Sequence, residues 1–140
     1  MIFSSACQDI IRAIVYLNGK EDLVQVKKIS EDLKVPFHFL SKNMQIVAKA
    51  GLITSKRGVD GGMKLAKNPS DIKIMDIIKV VDGDKYFDGC LLGIGLCESE
   101  NPCALHEEWT KRKDELVEIF GAISLQDIAE DLASQKILRV

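Results

Sequence analysis

Apolar residues recur at helical spacing through most of the chain, and the breaks between the runs mark out a succession of short elements. Ile10, Ile11, Ile14, Val15 and Leu17 form one stripe closed by Asn18-Gly19, so residues 8–18 are expected to form a buried helix. Val26, Ile29 and Leu33 line one face of a second helix over 26–33. Lys34-Val35-Pro36 interrupts it, because Pro36 cannot continue a helix but suits the first turn of a new one. That third helix runs from about Pro36 to Ala50, with Phe37, Leu40, Met44 and Val47 inward and Gly51 placed for a left-handed cap. The pattern then switches to short strands: Leu52–Ser55 and Met63–Ala66 flank a glycine-rich tip, Lys56–Gly62, which predicts a hairpin. After a turn at Lys67–Ser70, Ile74, Ile77, Ile78 and Val81 predict a helix over 71–81 that stops at Asp82-Gly83. Residues 84–102 show no period and read as loop. A long helix is expected over about 103–120, with Leu105, Trp109, Leu116, Ile119 and Phe120 on one side. Ser124 and Asp127 have the spacing of a capping box opening a last helix, with Ile128, Ala129 and Leu132 inside.

The third helix has an informative second face. His38, Ser41, Lys42, Gln45 and Lys49 fall at i, i+3, i+4, i+7 and i+11; all can hydrogen-bond and none is acidic. Solvated faces usually mix both charge signs, whereas a helix that enters the major groove needs donors and mixed donor–acceptors. Two short helices joined by a tight turn make a helix-turn-helix, and a hairpin directly after it is a wing. Lys56, Arg57 and Gly58 would lie at the wing tip, with Arg57 able to enter a narrow minor groove. The competing reading of Gly58–Gly62 as a nucleotide-phosphate cradle lacks GxGxxG, GxxxxGK[ST] and a following helix.

Charge sharpens this picture. The net charge of −2 hides an asymmetry: residues 1–67 hold 11 Lys/Arg against 6 Asp/Glu, and residues 68–140 hold 8 against 15. A basic half can meet a polyanion while an acidic half stays clear of it. No apolar run approaches the ~20 residues needed to cross a bilayer, and the first residues do not resemble a signal peptide. The chain is therefore expected in the cytoplasm, where thiols stay reduced.

In that compartment cysteines suggest ligands or sensors more than disulfides. Cys90, Cys97, Cys103 and His106 follow the spacing C-x6-C-x5-C-x2-H within the aperiodic loop. Structural zinc accepts such a set, but no C-x2-C knuckle is present, and Leu, Gly, Ile, Glu98 and Glu100 between the ligands oppose the RNA contacts of a CCCH finger. A metal-free thiol switch needs a low-pKa thiolate, which Asp88, Glu98 and Glu100 disfavour. An iron–sulfur cluster fits the long glycine-containing spacers and the apolar wrap of Leu91, Leu92, Ile94 and Leu96. Inert thiols are the fourth reading, and Cys7 is the best candidate for one. No Ser-His-Asp, P-loop or HExxH arrangement occurs, so an enzyme is not expected.

Taken together, Arg12–Leu17, Lys49–Ile53, Lys56-Arg57-Gly58 with Gly61-Gly62 and Leu65-Ala66, and the cysteine loop through His106 and Trp109 resemble the winged-helix regulators that include IscR, NsrR and CymR. The resemblance implies a homodimeric bacterial transcription factor, most simply a repressor of a double-stranded DNA operator, with long C-terminal helices crossing between subunits. It implies a cluster on Cys90, Cys97 and Cys103. In IscR-like members a histidine shortly after the third cysteine completes the set, which maps to His106. In NsrR-like members an acidic residue near the partner's N-terminus does so; here that position is Gln8, between Cys7 and Asp9. A Cys3His set suits a 2Fe-2S cluster, and three cysteines with an exchangeable fourth ligand suit 4Fe-4S. Two features depart from the pattern. Ala6-Cys7-Gln8-Asp9 replaces a basic and aromatic pair, and the first spacer is x6 where x5 is usual.

The expected fold is mainly α with a small β-hairpin wing. Residues 1–83 would form the winged helix-turn-helix domain, 84–106 the cluster loop, and 103–140 the dimerisation and C-terminal helices. The rival from another class is an iron–sulfur redox protein with no DNA role.

Overall fold

The computed structural model describes residues 2–95, 97 and 100–135, and side chains as far as residue 131. Leu96, Glu98 and the side chain of Leu132, all assigned roles above, lie outside the described residues. The first helix, α1 (Ser5–Leu17), opens earlier than its apolar stripe because Ser4 caps it: the Ser4 hydroxyl oxygen accepts from the Cys7 N–H at 3.0 Å. Ile10, Ile14 and Leu17 are fully buried on its inner face. The second helix, α2 (Val26–Leu33), ends at Lys34 in the left-handed conformation (φ 54°), which turns the chain into α3 (Phe37–Lys49) with Pro36 at its N-cap. Leu40, Met44 and Val47 anchor α3 in the core, but Phe37 does not join them. It is 45 % exposed and meets His38 edge-on, lining the side of α3 that faces the hairpin rather than the core.

The hairpin forms, with strands shifted by one residue towards the tip: β1 (Ile53–Lys56) pairs antiparallel with β2 (Gly62–Leu65), Ile53 opposite Leu65, and Lys56 and Gly62, expected in the tip, form the last pair. A third segment joins at its base, since Val24 and Met63 exchange backbone hydrogen bonds of 2.9 and 2.8 Å. This close approach explains Gly62. Its φ is +148°, and a Cβ there would lie 2.7 Å from the backbone of Val24. Gly62→Ala is expected to cost about 1–3 kcal/mol, the scale of a strained backbone position, in a thermal or urea melt. An unchanged midpoint would show that the wing relaxes freely.

The fourth helix, α4 (Ile74–Asp82), starts at the first residue of its apolar stripe and not at the expected residue 71. Asn68 caps a short 3-10 turn over Pro69–Asp71, and Ile72 leaves that turn extended. A second 3-10 turn, Tyr86–Asp88, opens the segment that the period had left as loop. The fifth helix, α5 (His106–Ala122), begins at His106 and has no buried residue. Trp109, Leu116 and Phe120 face the rest of the molecule, with the Phe120 ring 5.0 Å from Phe3 and 6.0 Å from Phe87. Leu105 and Ile119, expected on that side, are exposed.

The last helix, α6 (Leu125–Gln135), folds back against α1 and the first 3-10 turn. Its box is formed: the Ser124 N–H donates to Asp127 Oδ2 at 2.8 Å and the Asp127 N–H to Ser124 Oγ at 3.2 Å. Leu125 is fully buried in the same core as α1 and α4, and Ala129 nearly so. The described residues thus form a mainly helical fold of six α-helices and one two-stranded hairpin, the winged-helix architecture.

Candidate nucleic-acid interface and thiol centre

The outer face of α3 and the wing lie side by side. Ser41 and Gln45 of α3 line a groove of about 320 Å³ with Lys56, Arg57 and Gly58 of the wing. His38, Lys42 and Lys49 are exposed on the outer face of α3, outside that groove. The Gln25 amide donates to the Val59 carbonyl at 3.2 Å, pinning the wing loop to the start of α2. Among the described residues no carboxylate pairs with Lys42, Lys49, Lys56 or Arg57. Their charges remain available to an external anion, whereas Arg12, Lys28 and Arg112 are engaged by neighbouring acids.

Cys97 Sγ lies 3.1 Å from His106 Nδ1, at the first residue of α5. The Cys90 thiol is held below its usual range by backbone N–H groups of Leu92 and Ile94, with Gly93 and the Cys103 thiol adding to them against slight burial. Gly93 and Gly95, at φ +69° and +106°, let the backbone curl so that amides can face sulfur. The Trp109 indole N–H donates to the Gly89 carbonyl at 3.2 Å, fastening the loop to α5. Among the described residues no three of His, Cys, Asp and Glu converge as ligands of one metal ion. The chemistry of the donor set still fits an iron–sulfur group: thiolates and an imidazole are its ligands, and amide hydrogen bonds to sulfur suit a bound thiolate.

Cys7 stands apart. It is fully buried, and its thiol is pushed up to about 12 by desolvation and then by Asp82, whose carboxylate faces it. Asp82 also accepts from the Ser4 N–H at 3.3 Å and from the Ser4 hydroxyl. Gln8 is occupied as well, its amide donating to the Phe3 carbonyl at 3.0 Å. Neither residue is presented as a ligand. Sequence reasoning missed this cluster because its members are 78 residues apart. Because the folded state keeps the Cys7 proton more tightly than the usual thiol value of 9.0, its contribution to stability is full below that value. It is lost as pH rises from there towards 12. Alkylation of the iron-free protein at pH 8 should label Cys103 early and Cys7 only on unfolding. Early labelling of Cys7 in the peptide map would contradict its burial.

The chain is matched over residues 3–131 by the model of the Rrf2 family, described as iron-dependent transcriptional regulators. It is 36 % identical over 132 residues to a protein of Aquifex aeolicus (strain VF5) that carries the name HTH-type transcriptional regulator, covering 91 % of both chains. It is 29 % identical over 117 residues to the HTH-type transcriptional regulator IscR of Escherichia coli, covering 84 % of this chain and 72 % of that one. The solved structure of T. potens IscR superposes with a TM-score of 0.74 at 26 % identity, over 98 % of this chain and 92 % of the other. These likenesses are to DNA-binding transcriptional regulators, not to enzymes. A polar α3 beside a cationic wing is what such a likeness requires of the fold, and the chain belongs to the Rrf2 family of transcriptional regulators.

Proposed function

We propose that this regulator is a homodimeric repressor whose hold on a DNA operator is set by an iron–sulfur cluster on Cys90, Cys97, Cys103 and His106. The observation that carries the reading is the 3.1 Å approach of Cys97 Sγ to His106 Nδ1. A thiol and an imidazole nine residues apart in the chain meet at the start of the helix read here as the dimer element. Three thiols and one imidazole favour the two-iron form, in which each iron would take two protein ligands. When bound, the cluster supplies metal–ligand bonds between the loop and the first turn of α5.

The rest is done by the chain. His106 begins α5, so any restraint on its imidazole restrains the helix. Trp109 holds α5 to the loop, and Phe120 holds it to Phe3 and Phe87 beside α1 and α4. A change in the set of α5 therefore moves the binding half of one subunit relative to its partner, the signature of a ligand that prefers one of two states. Val117 and Ile119, 40 % and 48 % exposed on α5, would be covered by the second copy. A two-fold axis would then place two α3 helices about 34 Å apart, one turn of DNA. His38, Ser41, Lys42, Gln45 and Lys49 would enter the major groove, while Lys56, Arg57 and Gly58 would meet the adjacent backbone and minor groove. Residues 1–83 would read DNA, 84–106 would hold the cluster and 103–140 would support the dimer, in the reducing cytoplasm.

Duplex binding measured against salt tests the DNA half of this reading. Lys42→Ala should weaken all duplexes alike and lower the log–log salt slope by about one. His38→Ala should instead change the preferred sequence. Binding that ignores salt, or a His38→Ala protein with unaltered preference, would contradict these assignments.

A further inference from the structure

Phe39 is the large side chain of α3 that neither the core nor the wing accounts for. It is 68 % exposed, more than any other aromatic among the described residues. Phe37, two residues earlier, has His38 as a ring partner and lines the groove beside the wing. Phe39 lies in the first turn of α3, next to His38 and three residues before Lys42, on a helix with no acidic residue. Ile46, two turns on and 39 % exposed, continues the same apolar flank.

In a helix-turn-helix the N-terminal residues of the second helix are those that reach base edges. A phenyl ring neither donates nor accepts a conventional hydrogen bond, so it gains little from a phosphate or from the polar edge of guanine, adenine or cytosine. The major groove presents one apolar group, the C5-methyl of thymine. We propose that Phe39 is a specificity-determining residue that packs against a thymine methyl of the operator. The flanking cations of α3 fix its position on the duplex, and the ring reads one base through shape and dehydration. This rests on the reading of α3 as the groove-entering helix.

Uracil differs from thymine by that methyl alone, which makes the test direct. The full-length protein is used to select its tightest duplex from a random library, and each thymine of that duplex is then replaced singly by uracil. At one position per half-site, wild type should lose about fourfold in affinity for each methyl removed, the value of burying one carbon. Phe39→Ala should bind the thymine and uracil duplexes equally, while matching wild type on the uracil duplex to within about twofold. Phe39→Leu should keep part of the preference. Because Phe39 is exposed, melting points of both variants should match wild type, and circular dichroism checks this. Wild type indifferent to uracil at every position would overturn the proposal, as would Phe39→Ala retaining the full thymine preference or losing both duplexes equally. A protein that selects no duplex at all would fail earlier, overturning the reading of α3 itself.

Discussion

Leu125→Ala should lower the stability of the DNA-binding half by about 2–5 kcal/mol, although residue 125 follows the long helix α5 in the chain. Leu125 has no exposed surface and shares its core with Ile10, Ile14, Ile77 and Ile78. The backbone there is stitched as well as packed. The Leu125 N–H donates to the Ile72 carbonyl at 2.8 Å, and the Ile74 N–H donates to the Ile123 carbonyl at 3.1 Å. Surrounding chain held by these bonds cannot collapse freely into the space the lost side chain leaves, which places the cost towards the upper part of the range. A chain of this size loses roughly 2–4 °C of melting temperature per kcal/mol, so the shift is readily seen. A melting point within a degree of wild type would mean that α6 is peripheral.

The second large effect is chemical. Cys97→Ala should purify anaerobically with iron and sulfide at background, because the substitution would remove both a proposed ligand and the partner of His106. His106→Ala should retain a residual or spectrally changed cluster, since an imidazole ligand would be replaced by another donor more readily than a thiolate. Cys7→Ala is the control: with its thiol buried against Asp82, it should keep the wild-type iron content. Full iron in Cys97→Ala, or iron lost from Cys7→Ala while the fold persists, would remove the central loop from the site. Zinc alone in anaerobic wild-type protein would replace the cluster with a structural metal.

Much of this organisation was legible in the order of residues, for identifiable reasons. α1, α2 and α3 follow from apolar stripes at helical spacing, since a helix that buries one face must repeat it. The wing follows from two short runs around Lys56–Gly62, where Gly62 has no room for a Cβ. Ser124 and Asp127 signalled the start of α6 through contacts confined to one turn. What was not legible depends on partners distant in the chain. Nothing in the period of α6 says that Leu125 returns to the core of α1. Phe37 has the spacing of a core residue but lines the groove beside the wing instead. The start of α4 was displaced by the Asn68 cap, whose 3-10 turn has no apolar signature. For the thiols, spacing indicated which donors are near in sequence, but the approach of Cys97 to His106 depends on the placement of His106 at a helix start.

The claim on which the regulatory account stands is that the state of the loop is felt at α3. One anaerobic preparation, bound to its selected duplex at fixed salt, should be measured as purified, after iron is stripped with a chelator, and after iron and sulfide are restored. The account predicts that affinity changes by about tenfold or more on stripping, within the usual range of coupling between two sites, and returns on reloading. Equal affinity in all three states would contradict it.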